Sequence, residues 1–159
     1  DEMTIPIAAA LFRRYPSVKK LADARLKEVM KIIRPLNFYK HKSQHIILCA
    51  QQLVGLYDGN VPHELESLLQ LSGVGRKTAN VFLSEMGKDA LGVDTHVSYI
   101  SRKLTWTKHT KPERIEEDLK RLFPQRSWSR VNATLVRFGK TYTSRKKKDA
   151  LLKEIRQLH

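Results

Sequence analysis

Two short motifs near the middle of this chain contain the residues whose types and spacing could carry out chemistry. The first runs from Leu71 to Asn80 and has glycines at positions 73 and 75, just before the adjacent cations Arg76 and Lys77. The second, from Val93 to His96, contains the carboxylate of Asp94. Glycine permits a positive φ, and the free N–H groups at the start of a helix attract anions. The first motif therefore predicts a phosphate-binding turn.

Lys77 and Asp94 are the candidate reactive groups. A lysine in the first turn of a helix is a candidate amine nucleophile, because the positive end of the helix dipole opposes a second positive charge. A carboxylate such as Asp94 can stabilise positive charge that develops on a substrate. Two plainer interpretations stay open, with Lys77 as a hydrated surface lysine and Asp94 as a helix N-cap. For Asp94 the two roles are compatible.

Taken together and in this order, the two motifs resemble those of the endonuclease III family of DNA glycosylases. The resemblance implies that the first motif is a helix-hairpin-helix carrying the catalytic lysine, Lys77, and that Asp94 is the catalytic aspartate. It extends from about Asp1 to about Thr143, with Ser72 at a position where the family usually has proline. The resemblance also implies that the chain, which starts at Asp1, lacks an N-terminal helical segment of the family.

The resemblance and the local charge predict a set of DNA-binding residues. Phe38 would enter the base stack as an apolar wedge, and the amides of the hairpin would hold a phosphate. The alternatives are that Phe38 is ordinary core and that the basic run after residue 144 is a mobile linker. The predicted set is Phe38, Tyr39, Lys40, His41, Lys42, Gly73, Val74, Gly75, Arg76, Thr78, His96, Arg145, Lys146, Lys147 and Lys148.

The charge of the chain points to a polyanionic partner. Lys and Arg total 30 against 16 Asp and Glu, so the formal net charge is +14. Residues 93–159 hold 17 of those cations and only 7 of the acids. Such an excess favours nucleic acid. The resemblance further implies that this partner is double-stranded DNA with a damaged base or an abasic site. We expect the chain to bind it as a monomer and not to associate with a membrane.

Cysteine and histidine usage predicts that the chain carries no cofactor and no metal. Cys49 is the only cysteine, so it can neither form an internal disulfide nor supply the four thiolates of the iron–sulfur cluster that many family members bind. The six histidines lack the spacing of a metal site. We expect Cys49 to be a small buried side chain. With no signal peptide and no membrane-length apolar run, we expect a cytoplasmic, nucleoid-associated prokaryotic protein.

Apolar residues recur at helical spacing through nearly the whole chain, which predicts an all-α protein of about ten helices. Ser17 and Asp23 are predicted N-caps, Pro112 a first-turn residue, and 150–158 a terminal helix. The resemblance implies two helical lobes with the active-site cleft between them. We place the boundary near residue 90, giving a first lobe (1–90) with the hairpin and Lys77, and a second lobe (91–159) with Asp94.

The predicted activity is that of a bifunctional DNA glycosylase and AP lyase, which acts on a damaged base, an oxidised pyrimidine above all. Two alternatives stay open. The chain could be a glycosylase for alkylated purines or for mismatched thymine or uracil. It could also be a non-catalytic helix-hairpin-helix module that only binds DNA, although the presence of both Lys77 and Asp94 argues against this.

Overall fold

The computed structural model describes residues 3–157, and in this range the chain is all-α, which confirms the predicted fold class. Two expectations, the family match of Asp1 and the end of the last helix at Leu158, fall outside these residues. No helix in the described range is long and apolar enough to cross a membrane. The helices are α1 (Thr4–Arg14), α2 (Val18–Ala22), α3 (Leu26–Ile33), α4 (Tyr39–Tyr57), α5 (Leu65–Leu69), α6 (Arg76–Glu85), α7 (Thr95–Lys103), α8 (Pro112–Leu122), α9 (Trp128–Thr141) and α10 (Arg145–Gln157), with a short 3₁₀ helix at Gln125–Ser127.

The chain divides into two compact units, Asp1–Gly75 and Arg76–His159. Lys77 and Asp94 therefore both belong to the second unit. The family boundary near residue 90, with one lobe on either side of it, stays a prediction.

The first unit contains α1 to α5, and its core follows from the helical spacing of apolar residues. In α3, Val29 and Ile33 lie one turn apart and are almost fully buried. They pack with Leu11 and Tyr15 of the α1 region and with Ile47 of α4. Burial of side chains of this size contributes about 1.5–3 kcal/mol each.

The second unit contains α6 to α10 and is organised around α7. Val97 and Ile100 of α7 are buried and pack with Ile115 and Leu119 of α8. The same cluster includes Leu91, Val93, Leu104, Leu135 and Leu152. Helix α7 packs against α8, α9 and α10. These contacts fix the position of its N-terminus, where Asp94 lies.

The helix ends confirm some of the predicted caps and correct others. The Ser17 hydroxyl accepts a hydrogen bond from the Lys20 N–H at 3.2 Å, and Pro112 is the first residue of α8. Asp23 does not cap α3, because it follows the last residue of α2 and α3 begins only after Arg25. The prediction for the terminal helix was also wrong at its start. The helix begins at Arg145, where the Ser144 carbonyl accepts from the Lys148 N–H at 2.9 Å.

Gly139 of α9 allows the ring of His96 to pack directly against the helix backbone. A Cβ at position 139 would lie 2.5 Å from the His96 Cγ, far inside van der Waals contact. Only glycine avoids this overlap, so Gly139 sets how closely the first turn of α7 approaches α9.

We expect Gly139→Ala to lower the free energy of unfolding by about 1–3 kcal/mol, because the added methyl group must displace His96. Chemical denaturation measures the change. Gly55→Ala is the matched control, since a Cβ at this exposed α4 position meets nothing within 4 Å. That variant should gain about 0.5–1 kcal/mol from helix propensity. Equal effects of the two variants would contradict the proposed packing.

Candidate active site

A cleft of about 690 Å³ in the second unit brings Lys77 and Asp94 together. Lys77 comes from the first turn of α6, and Asp94 lies immediately before α7. The remaining wall is mainly one face of α9, whose lining residues recur three and four positions apart. The lining residues are Lys77, Val81, Ser84, Glu85, Asp94, Ser129, Asn132, Ala133, Val136, Arg137, Lys140 and Thr141.

The backbone of Lys77 is fixed, while its side chain is available. The α6 residues Ala79 and Leu83 are buried and anchor the helix. Lys77 itself is exposed, and among the described residues its side chain makes no hydrogen bond or ion pair. An amine without a competing partner in a cleft is suited to attack a bound electrophile.

Asp94 is the N-cap of α7. Its Oδ1 accepts a hydrogen bond from the Val97 N–H at 2.8 Å, and its backbone is extended, as an N-cap requires. The side chain is half-buried and also lines the cleft. The cap predicted from the sequence is therefore confirmed, and it holds the carboxylate in the same cleft as Lys77.

Gly92 brings the segment before Asp94 against the first turn of α6. A Cβ at this position would lie 2.8 Å from the Val81 Cγ2, 3.2 Å from the Val81 backbone nitrogen and 3.5 Å from the Lys77 carbonyl oxygen. A larger residue would push the two segments apart and widen the cleft between Lys77 and Asp94. The sequence motifs do not include Gly92, because only the packing shows its role.

Arg76 is bound to a buried carboxylate. Its guanidinium donates two hydrogen bonds, of 2.9 and 3.1 Å, to Glu116 of α8, which is only 3% exposed. Asn80 and Lys120 donate to the same carboxylate at 3.0 and 2.6 Å. This arrangement, which we call the Glu116 network, ties α6 to α8 and leaves the guanidinium of Arg76 committed within the protein.

The Glu116 network lowers the pKa of Glu116 and raises the pKa of Arg76. Burial acts to raise the pKa of Glu116, but the hydrogen bonds and charges of Arg76 and Lys120 outweigh it, so the pKa lies below its ordinary value. The pKa of Arg76 is raised, chiefly by its hydrogen bonds to Glu116. Glu116 is thus held ionised, and its four hydrogen bonds remain in place near neutral pH.

The hairpin turn before α6 lies at the end of the first unit and is fixed by residues of α4. Gly73 has a φ of +77°, and a Cβ there would lie 2.8 Å from the Cβ of His45. The His45 Nδ1 and the Ser72 hydroxyl are 2.8 Å apart, and the Gln52 Oε1 accepts from the Ser72 N–H at 2.7 Å. His45 and Gln52, which the sequence motifs do not contain, therefore hold the turn.

Phe38 is a strained and exposed residue at the start of α4. Its side chain is 79% exposed and its φ is +59°, an uncommon conformation for a bulky residue. The alternative that Phe38 belongs to the core is therefore wrong. Lys40, His41 and Lys42 are exposed beside it, whereas Tyr39 is half-buried against the core of the first unit.

The other predicted contacts differ in how accessible they are. Gly75 and Thr78 are exposed and Val74 is half-buried, while the half-buried His96 packs on Gly139. Arg145, Lys146 and Lys147 are exposed in the first turn of α10, which is not the mobile linker considered above. The side chain of Lys148 is only 9% exposed and donates to the Gly139 carbonyl at 2.9 Å. The ammonium of Lys148 is thus bonded within the protein, and a contact of Lys148 with DNA stays a prediction.

A larger cavity of about 800 Å³ lies in the first unit, and its wall is mostly apolar. Phe12, Tyr15, Ile46 and Leu53 are among its lining residues. It contains no pairing of an amine with a carboxylate, so the chemistry predicted from the motifs belongs to the smaller cleft of the second unit.

The residues present do not fit the iron–sulfur cluster of the family. Cys49 is half-buried in α4, where burial raises the pKa of its thiol, and no second cysteine exists in this sequence. The segment after α9 folds as α10 without any thiolate ligand. Within residues 3–157, no group of three or more His, Cys, Asp or Glu side chains could hold a metal ion.

Comparison with known proteins identifies the class. The model of the HhH-GPD superfamily of base excision DNA repair proteins matches residues 1–125. This match covers most of the chain and includes the hairpin, Lys77, Asp94 and Glu116. The chain belongs to the HhH-GPD superfamily.

Within this superfamily, the chain is similar to endonuclease III, which confirms the predicted resemblance. Endonuclease III of Thermotoga maritima is 42% identical over 141 residues, which cover 88% of this chain and 66% of that protein. The Synechocystis enzyme is 38% identical over 149 residues, covering 92% and 68%. A trapped endonuclease III–DNA covalent intermediate matches with a TM-score of 0.82 at 30% identity, covering 87% of this chain and 66% of that one. The chain thus spans about two thirds of the length of these relatives.

The Glu116 network predicts a pH-dependent contribution to stability. Because the folded pKa of Glu116 is lowered, its contribution is complete above the unfolded value, near 4.5, and is lost as the pH falls through the folded value. Glu116→Gln should therefore lower the free energy of unfolding by about 1–3 kcal/mol at pH 7, and the difference from wild type should shrink in acid.

Urea denaturation at pH 7 and at about pH 3.5 measures both effects. Glu117→Gln is the matched control, because Glu117 is exposed, forms its ion pair with Arg114 and makes no hydrogen bond to Arg76 among the described residues. It should cost less than about 0.5 kcal/mol at either pH. If the loss of unfolding free energy in Glu116→Gln did not depend on pH, the ionised carboxylate of Glu116 would not be its cause.

Proposed function

We propose that the chain is a DNA glycosylase with an associated AP lyase activity, acting on an oxidised pyrimidine in double-stranded DNA. The observation that carries this proposal is the shared cleft of Lys77 and Asp94, an unpaired amine and a fixed carboxylate. The similarity to endonuclease III and to its trapped covalent DNA complex supports the same assignment.

The first chemical step is release of the damaged base. The damaged nucleotide must leave the stack, because its C1′ is otherwise out of reach. As the glycosidic bond breaks, its electron pair leaves with the base, which takes up a proton, and positive charge grows on the sugar. The carboxylate of Asp94 stabilises that charge, and the Lys77 Nζ forms the new bond to C1′.

The second step cleaves the strand. Opening of the sugar ring leaves a Schiff base between the Lys77 Nζ and C1′. Removal of a proton from C2′ then sends an electron pair to expel the 3′ phosphate, which is a β-elimination. Water finally hydrolyses the Schiff base and returns Lys77 as a free amine.

Several exposed features supply contacts to the duplex. Phe38 is an apolar side chain held outward, suitable for filling the space left by an extruded nucleotide. The hairpin amides around Gly73 and Gly75 are suitable for binding one phosphate. Arg145, Lys146 and Lys147 begin α10, although cations there oppose the helix dipole. Arg145 also lies over the ring of Tyr99, at 5.7 Å from its centroid, and the exposure of all three side chains supports a role in phosphate binding.

The first test is Lys77→Gln, which should abolish the covalent adduct that borohydride traps on abasic-site DNA. It should also abolish strand cleavage while duplex binding changes little, because glutamine keeps the size of the side chain but cannot form a Schiff base. Lys27→Gln, at an exposed site in α3, is the matched control and should trap normally. Trapping that persists in Lys77→Gln would overturn the assignment.

Asp94→Asn should slow base release by about 100-fold or more and cleavage of a preformed abasic site by less than about tenfold. The reason is that positive charge on the sugar is greatest while the glycosidic bond breaks. Asparagine can still cap α7, so the fold should persist. Single-turnover rates on the two substrates make the comparison. Equal losses in both rates would instead indicate that Asp94 acts only through Lys77 or through the helix start.

Replacing Arg145, Lys146 and Lys147 together by alanine should weaken binding to every duplex alike. Each lost phosphate contact removes about 0.9 from the dependence of log K on log salt, so the slope should flatten by about 2 to 3. Lesion discrimination should survive, because backbone contacts do not read bases. Alanine at Lys19, Lys20 and Lys27, exposed in the first unit, is the charge-matched control. An equal change in both triple variants would show that only net charge matters.

A further inference from the structure

One polar side chain in the cleft, that of Asn132, has a buried oxygen without a hydrogen bond. Asn132 lies in the middle of the α9 face that lines the cleft and is only 5% exposed. Its Oδ1 is buried without a hydrogen-bond donor. Among the described residues, the only other buried side-chain oxygen or nitrogen in this state is the Ser101 Oγ, which does not line the cleft.

The Ser101 Oγ and the Asn132 Oδ1 differ in whether they can form a hydrogen bond within their own helix. A serine hydroxyl in a helix can rotate toward the carbonyl four residues earlier and satisfy itself locally. A carboxamide oxygen can only accept, and leaving it buried without a donor costs about 1–3 kcal/mol. Buried polar groups in native proteins are almost always bonded, so an exception inside a cleft points to a ligand.

We propose that Asn132 is a specificity residue, which binds the amide edge of the extruded base. This inference rests on the proposed glycosylase function and names the group that the cleft recognises. An oxidised thymine presents N3–H between two carbonyl oxygens. A carboxamide carries one acceptor and a donor pair, so it can accept from N3–H and donate to the neighbouring carbonyl at once.

The position of Asn132 fits such a role. Asn132 lies on the same cleft wall as Val136 and Ser129, one turn away on either side, and the cleft also contains Lys77 and Asp94. Its backbone is held within a helix of fourteen residues, so only the side-chain dihedrals need adjust. A half-turn about χ2 exchanges the oxygen and the NH₂ group without disturbing α9.

The test combines a protein variant with a modified substrate. Base release from thymine glycol is measured for wild type and for Asn132→Ala, and again with thymine glycol methylated at N3. Asn132→Ala should slow release of the unmethylated base by about 10- to 100-fold, equivalent to the loss of one or two hydrogen bonds. Methylation at N3 should slow base release by the wild-type protein by a similar factor. It should slow base release by Asn132→Ala less than about twofold, because that variant already lacks the contact to N3–H.

Cleavage of a preformed abasic site separates recognition from folding. It should stay within about threefold of wild type in Asn132→Ala, since an abasic site has no base to recognise. Asn132→Asp keeps the side-chain volume but loses the donor, and should show the same selective loss. Ser101→Ala, which removes the other unpartnered atom outside the cleft, should release thymine glycol at the wild-type rate.

Two results would overturn the recognition role. One is an equal loss of rate in Asn132→Ala on thymine glycol and on the preformed abasic site. The other is that N3 methylation and Asn132→Ala slow base release additively. Failure of the proposed function has a different signature. In that case wild type would neither trap on abasic-site DNA nor release thymine glycol, and the inference about Asn132 would fall with it. Wild-type trapping together with unimpaired thymine glycol release by Asn132→Ala would overturn the inference alone.

Discussion

The close contact between Gly92 and Val81 of α6 is the constraint on which the candidate active site depends. Lys77 and Asp94 are separated along the chain by the end of α6 and by the segment that leads to α7. Only a residue without a Cβ lets that segment approach Val81 as closely as observed, because a Cβ would lie 2.8 Å from the Val81 Cγ2 and 3.2 Å from its backbone nitrogen. The amine and the carboxylate therefore share a cleft because of a residue that takes no part in the chemistry.

Two further interactions hold the helices that carry this contact. The Glu116 network ties the start of α6 to α8, and Gly139 lets His96 of α7 pack on α9. The carbonyl of Gly139 also accepts from Lys148 at the start of α10. The two helix starts that carry Lys77 and Asp94 are thus each held by a specific polar or close-packed contact. Such preorganisation places charge before the substrate arrives, which is where most catalytic stabilisation originates.

Two kinds of lysine and arginine coexist in this strongly basic chain. Arg76 and Lys148, both predicted to bind DNA, also donate hydrogen bonds within the protein, to Glu116 and to the Gly139 carbonyl. Lys77, Arg145, Lys146 and Lys147 are exposed. Composition reveals the excess of positive charge and indicates a polyanionic partner. It does not separate cations that stabilise the fold from cations that are free to meet a ligand.

Features of the helix ends that depend only on neighbouring residues were predictable from short sequence patterns. The cap at Asp94, the cap at Ser17 and the first-turn proline of α8 depend on neighbours within three residues, and all three were predictable. The partner of Arg76, forty positions away, and the clash that forces glycine at 92 depend on tertiary packing. The same is true of Asn132, whose importance is visible only once its burial and its missing partner are known.

Identifying the lysine that becomes trapped on DNA tests the central claim most directly, because Lys77 and Lys140 both line the cleft. The wild-type chain is incubated with abasic-site DNA and borohydride, digested after glutamate, and mapped by mass spectrometry. Cleavage after Glu66 and Glu85 releases a peptide in which Lys77 is the only lysine. We predict that the sugar adduct is on this peptide, at Lys77. An adduct on the peptide that contains Lys140 would contradict it.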